Sequence, residues 1–160
     1  MYLQIQSRRP GERRKEILSA GEDFEELLSL MAKLRGPEGC PWDREQTMSS
    51  LRPFILEEAY ELIEAIDEEQ PQSVREELGD LLLEVVFVNQ IAEEDERFTM
   101  SDVIRGIYDK LVRRHPHVFE SEQAESADTA LAHWDDIKSK EKPERSSFLD
   151  GIPRAMPALT

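Results

Sequence analysis

The stretch FILEEAYELIEAIDEE, Phe54 to Glu69, combines apolar residues at helical spacing with seven carboxylates. On a wheel advancing about 100° per residue, Ile55, Ala59, Leu62, Ile63 and Ile66 form one apolar stripe, so the segment reads as a helix that buries a face. Glu58 borders that stripe and Glu61 follows one turn on, which puts both carboxylates on the same flank. Glu64, Asp67, Glu68 and Glu69 read as a solvated face.

The next segment repeats the pattern more sharply. QPQ stops the first helix, and Ser73 followed by Glu76 has capping-box spacing ahead of Val74, Leu78, Leu81, Val85, Val88 and Ala92, a helix to about Glu94. Glu77, Asp80 and Glu84 fall within about 60° of one another, at the edge of the Leu81 stripe or inside it. An unpaired carboxylate at a helix interface is costly or takes up a proton. Cations are scarce, because Arg75 is the only positive charge between Arg52 and Arg97. Two helices presenting acids at i and i+3 or i+4 supply oxygen ligands around one point, as a hard divalent cation requires. Mg²⁺ fits best, since a carboxylate-and-water shell leaves positions for phosphate oxygens, whereas zinc favours histidine or cysteine.

Working outward, Phe24, Leu27, Leu28, Met31 and Leu34 predict a helix from Asp23 to near Gly36-Pro37. GPEGCPWDREQT reads as a loop anchored by Trp42, and Ser49 or Ser50 as the cap of the helix that contains the opening stretch. Thr99 or Ser101 starts a further helix over Val103, Ile104, Ile107, Tyr108 and Leu111 that must end before Pro116. HPHVF reads as an extended exit, in which His115 and His117 serve turn structure, and ESEQAESADT as an acidic mobile loop. A last helix covers about Thr129 to Lys140 with Leu131, Trp134 and Ile137 inward. Strict apolar alternation is absent, so the expected class is all-α, a four-helix-bundle-like domain with an additional C-terminal helix. The expected organisation is a flexible N-terminal arm over residues 1–21, one domain over 22–142 and a linker-like tail over 143–160.

Composition narrows the function classes. A lone cysteine, Cys40, points away from an oxidising compartment, and no apolar run approaches the roughly 20 residues of a membrane span, so a cytoplasmic chain is expected. A formal charge of -15 repels nucleic acid and anionic membranes, and an anionic ligand then needs bridging cations or a local basic cluster. Lys110, Arg113 and Arg114 form such a cluster, and favourable charge at a helix C-terminus is its alternative reading.

Glu57-Glu58-x-x-Glu61 followed by Glu77-x-x-Asp80, with GCPWDREQT before and KLVRRHPHVF after, resembles the MazG-type nucleoside triphosphate pyrophosphohydrolase family over about Phe24 to Lys142. The resemblance implies an all-α fold, Mg²⁺ dependence with Mn²⁺ as a substitute, a homodimer, and cleavage of nucleoside triphosphates between the α and β phosphates. Matched residue by residue, it implies metal ligands at Glu58, Glu61, Glu77 and Asp80, with Glu57 adjacent; Glu57 or Glu61 is then the expected base. It further implies that Lys110, Arg113, Arg114 and Lys138 hold phosphates while Trp134 or Trp42 stacks on the nucleobase. Lys110 with Arg114 and Trp134 with Lys138 are i, i+4 pairs, each able to converge on one ligand. Core packing is the plain alternative for Trp134. Many relatives carry histidine where this chain has Met48, and FLDGIPRAMPALT resembles the linker of two-domain relatives. A competing class is a non-catalytic nucleotide-sensing or protein-interaction domain of the same fold. A di-iron bundle is set aside because no Glu precedes any of the three histidines by three residues.

Overall fold

The computed structural model describes residues 19–120 and 124–141, so most of the expected arm and all of the linker-like tail lie outside the described residues. Seven helices and no strand occur among the described residues: α1 (Ala20–Arg35), α2 (Pro41–Glu45), α3 (Arg52–Asp67), α4 (Pro71–Glu94), α5 (Met100–Arg114), α6 (Pro116–Phe119) and α7 (Ala127–Glu141). The chain is all-α, as expected. It divides into two compact units, Met1–Met100 and Ser101–Thr160.

In the first unit α3 packs along α4, and α1 packs on α4 and α2. Met31, Leu51, Val86, Phe87, Ile91 and Met100 form the core, with Phe54, Ile55 and Val88 against it. Helix α1 begins at Ala20 rather than Asp23, inside the span expected as arm. The cause is a capping box at Ser19: Glu22 N–H donates to Ser19 Oγ at 3.3 Å, and Ser19 N–H donates to Glu22 Oε2 at 2.8 Å. The loop reading of GPEGCPWDREQT is corrected in part, because Pro41 opens the short helix α2. Gly39 before it has no alternative, since a Cβ there would overlap the carbonyl oxygens of Lys33 and Leu34. Arg35 fastens this segment: it donates to the carbonyls of Asp43 and Gln46 while its Nη2 lies 2.7 Å from Glu94 Oε2.

Two expected caps do not form. Helix α3 starts after Leu51, and Ser50 instead exchanges bonds with Thr47 in the preceding turn, at 2.9 and 3.1 Å. Helix α4 starts after Gln70, because Pro71 at its first position supplies the starting φ and takes the helix past Ser73. Both helices end in Schellman-type turns with a glutamate in the left-handed region. After α3, Gln70 N–H donates to Ala65 O and Glu69 N–H to Ile66 O, with Glu69 at φ 54°. Glu96 does the same after α4, at φ 55°. The three residues between α3 and α4 therefore reverse the chain into an antiparallel helical hairpin.

The hairpin buries a narrower strip than the apolar arc of α3. Ala59 and Leu62 are half-buried and Ala65 is buried, but Ile63 and Ile66 are 53% and 54% exposed. On α4, Leu78 and Val85 likewise stay exposed, and Glu84 takes an interior place. The reason is that α4 faces the Glu58, Ala59, Leu62 side of α3, which leaves one flank of each apolar arc uncovered.

In the second unit the HPHVF exit is a helical turn, α6, held by Phe119 N–H to His115 O at 3.2 Å and Glu120 N–H to Pro116 O at 2.8 Å. Helix α7 starts two residues ahead of the expected Thr129, and Thr129 N–H donates to Ser126 Oγ at 3.2 Å. Trp134 and Ile137 are half-buried as expected, while Leu131 is 61% exposed. Of the expected mobile loop, residues 121–123 lie outside the described residues.

Glu69 carries both the left-handed strain of a residue with a Cβ and a negative charge at a helix C-terminus. Glu69→Gly is therefore expected to stabilise the chain by about 1 kcal/mol, read as a higher urea midpoint at unchanged m-value. A lower midpoint would contradict this account of the hairpin turn.

Candidate metal and nucleotide site

The antiparallel hairpin decides which acids meet. Going away from the turn, Glu61 then Glu58 on α3 run beside Glu77, Asp80 and Glu84 on α4. Oxygens of Glu58, Glu77 and Asp80 lie within 4.8 Å of one another. Glu58 and Glu77 are half-buried and Asp80 is exposed. Glu61 is exposed and outside that group, and Glu57 is exposed beside Glu58.

The electrostatics report the same register. Burial pushes the Glu77 carboxyl up, helped first by the charge of Glu61 and then by Asp80 and Glu58. Burial also pushes Glu58 up, helped by Asp80, Glu61 and Glu57. No lysine or arginine among the described residues lies within ion-pair distance of these acids, and Glu77 Oε2 is sealed from solvent without a hydrogen-bond partner. Three converging carboxylates, one with an orphaned buried oxygen, have the donor chemistry of a hard-cation site. Glu58, Glu77 and Asp80 fit such an ion directly, and Glu61 stands one turn from Glu58 toward the hairpin turn.

Trp42 borders the other end of this row. Its ring meets Phe54 edge-on at 5.9 Å and Phe87 at 6.5 Å, and half of it, 52%, is exposed. Phe54 is one turn from Glu58, and Phe87 is three residues from Glu84. Met48 packs against the core, and its sulfur receives Arg97 Nη1 at 3.9 Å.

Within the second unit, Arg113 and Arg114 meet on Glu141, a residue outside the expected site, and Trp134 lies against Arg114. Arg114 is 7% exposed and donates through Nε and Nη2 to Glu141 Oε2 at 3.0 and 2.5 Å, while Arg113 Nε donates to Oε1 at 2.6 Å. These hydrogen bonds, from Arg114 first and then Arg113, hold the Glu141 carboxyl below its usual range. Arg114 also lies 5.0 Å over the Trp134 ring, and His115 meets that ring edge-on at 4.9 Å. Lys110 and Lys138 are exposed.

Comparison with known proteins gives the family of the segment that holds these acids. Residues 46–119 match the MazG nucleotide pyrophosphohydrolase domain, a span that holds Glu57, Glu58, Glu61, Glu77 and Asp80. The chain carries a MazG-family domain. It is 54% identical over 142 residues to the nucleoside triphosphate pyrophosphohydrolase/pyrophosphatase MazG of Thermotoga maritima, covering 88% of this chain and 54% of that protein. It is 49% identical over 139 residues to the nucleoside triphosphate pyrophosphohydrolase of Escherichia coli K12, covering 85% of this chain and 53% of that protein. It is also 50% identical over 139 residues to the uncharacterized protein YabN of Bacillus subtilis, with 86% of this chain and 28% of that protein covered. The chain thus spans about half the length of the first two relatives and less of the third. Among solved structures, a MazG-related protein from Thermotoga maritima superposes with a TM-score of 0.60 at 27% identity, covering 72% of this chain and 98% of that one.

The MazG domain's acids set its pH dependence when metal is absent. Glu58 and Glu77 keep their protons to higher pH in the folded chain than the ordinary 4.5. The folded state then binds more protons, and stability declines as pH rises from 4.5 through their raised values. Glu94, lowered chiefly by its bonds to Arg35, and Glu141 act oppositely, and their contribution is lost as pH falls through their depressed values. Chelator-treated protein is expected to reach its highest urea midpoint at mildly acidic pH and to decline toward neutrality. Glu77→Gln should flatten that decline, and a wild-type midpoint that keeps rising toward neutral pH would contradict the assignment.

Proposed function

We propose that this chain hydrolyses nucleoside triphosphates to monophosphate and pyrophosphate in an Mg²⁺-dependent reaction, with Mn²⁺ able to substitute. The observation that carries the reading is the convergence of Glu58, Glu77 and Asp80 without a counter-charge, inside a MazG domain. Glu58, Glu61, Glu77 and Asp80 are the ligands in this reading. A bound dication there offsets the charge of the triphosphate and raises the acidity of water.

The chain's own groups do the rest. Water adds to the α phosphorus, the bond to the oxygen bridging α and β breaks, and pyrophosphate leaves with the electron pair. Glu57 or Glu61, both exposed beside Glu58, takes the proton from the attacking water. Trp42 offers an exposed ring braced by Phe54 and Phe87, suited to stacking on a nucleobase. Lys110, Arg113, Arg114, Trp134 and Lys138 are assigned to phosphate and base binding. Arg114 is engaged with Glu141, which favours it as the residue that orients Trp134 and leaves Lys110 and Lys138 as the freer cations.

Incubating the purified chain with each nucleoside triphosphate, with and without Mg²⁺, tests the reading. Pyrophosphate release is expected only with the dication. Glu61→Gln and Asp80→Asn should each lower kcat/KM by about 100-fold or more. Tight nucleotide binding without turnover would instead favour a sensing domain, and neither binding nor turnover would refute both.

The reading also includes a homodimer. Leu56, Tyr60, Ile63 and Ile66 on α3 and Val103, Ile104, Ile107 and Tyr108 on α5 are all exposed, more apolar surface than an isolated chain usually leaves to water. Sedimentation at micromolar concentration is expected to give twice the chain mass of 18.5 kDa, and monomer alone would contradict this. No helix of the described residues is long and apolar enough to cross a membrane. We place the chain in the cytoplasm, without a nucleic-acid partner, consistent with its acidity.

A further inference from the structure

The Glu77-x-x-Asp80 spacing ends at Asp80, but the row of carboxylates on α4 continues. Glu84 follows Asp80 by four residues and Glu77 by seven, so all three stand on one face of α4. Among the described residues it is the one buried carboxylate, 8% exposed, and its Oε2 is sealed from solvent with no hydrogen-bond partner. Helical side chains lean toward the N-terminus, so Glu84 reaches back to the turn of Asp80. The antiparallel register then puts Glu58, rather than Glu61, across from it. Burial first, and the charge of Glu58 second, push the Glu84 carboxyl up, which agrees with that approach.

Ion-paired acids show what a structural carboxylate looks like in this chain. Glu94 is bonded to Arg35, and Glu141 to Arg113 and Arg114. Glu84 has no such partner among the described residues, and the following turn, Phe87 and Val88, belongs to the apolar core. A methionine or glutamine would fill the same space without burying a charge. No described residue satisfies Glu84, and the acids in front of it favour a cation as the group that does.

We propose that Glu84 is a fifth carboxylate of the metal centre, binding a divalent, oxygen-seeking cation jointly with Glu58 one helical turn beyond Asp80. The inference rests on the metal reading given above and extends it to a residue beyond its four ligands. Its test is Mn²⁺ binding to the chelator-stripped full chain without nucleotide. Free Mn²⁺ is followed by electron paramagnetic resonance for wild type, Glu84→Gln, Glu84→Met and Glu77→Gln.

Both Glu84 variants are expected either to lose one Mn²⁺ or to bind it about 10-fold or more weakly. Their metal-free melting temperatures should equal or exceed wild type, because an unpaired buried charge has been removed. Unchanged Mn²⁺ binding in both Glu84 variants, together with loss in Glu77→Gln, would overturn this inference and leave the metal reading standing. Absence of Mn²⁺ binding in wild type would remove both. A lower metal-free melting temperature in both Glu84 variants would also overturn the inference, since it would reveal a structural partner for Glu84.

Discussion

Packing α3 against α4 forces carboxylates of like charge to within 4.8 Å of each other, and most else in the first unit follows from tolerating that. The repulsion is not relieved by any cation of the described residues. Arg35 is committed to Glu94 and to two carbonyls of the α2 segment, and Arg97 to Asp95. The fold accepts this cost because the same two helices bury Val86, Phe87 and Ile91 against Met31 and Leu51, which supplies apolar free energy one to two turns away. Placing acids on paired helices rather than loops also fixes their spacing, as a site preorganised for an ion requires.

The second unit handles charge in the opposite way. Glu141 accepts from both Arg113 and Arg114, and Arg114 lies over Trp134, so a buried cation there has a carboxylate and a ring face as neighbours. This satisfied cluster holds its geometry in the isolated chain. The grouped acids of the first unit have no such partner among the described residues. Low exposure alone would not have made the distinction, because Arg114 and Glu84 are about equally buried.

Much of the architecture was legible from residue spacing. Apolar recurrence at three and four located the main helices, and Gly36-Pro37 and Pro116 marked two of their ends. Caps were less legible. Ser73 with Glu76 had the right spacing, but Pro71 started the helix earlier, and Ser19 formed a real box inside a stretch that reads as polar arm. Apolar identity also overstated burial: Ile63, Ile66, Leu78 and Leu131 sit on helical stripes yet remain in solvent, because a wheel cannot tell how wide a strip the neighbouring helix covers. Glu141 escaped notice because nothing in its local spacing links it to arginines some 27 residues earlier.

By itself, the sequence determined that the chain is helical, that acids flank the buried faces of two successive helices, and that too few cations lie nearby to neutralise them. Those are properties of period and composition, which local spacing encodes. Only the tertiary structure decided which acids meet. The three-residue turn at Glu68, Glu69 and Gln70 sets the antiparallel register, which puts Glu58 with Asp80 and the side chain of Glu84 in the interior. A shift of one residue in that turn would rotate every carboxylate on α4 by about 100°, so helix phase across the hairpin, invisible in either helix alone, makes the site.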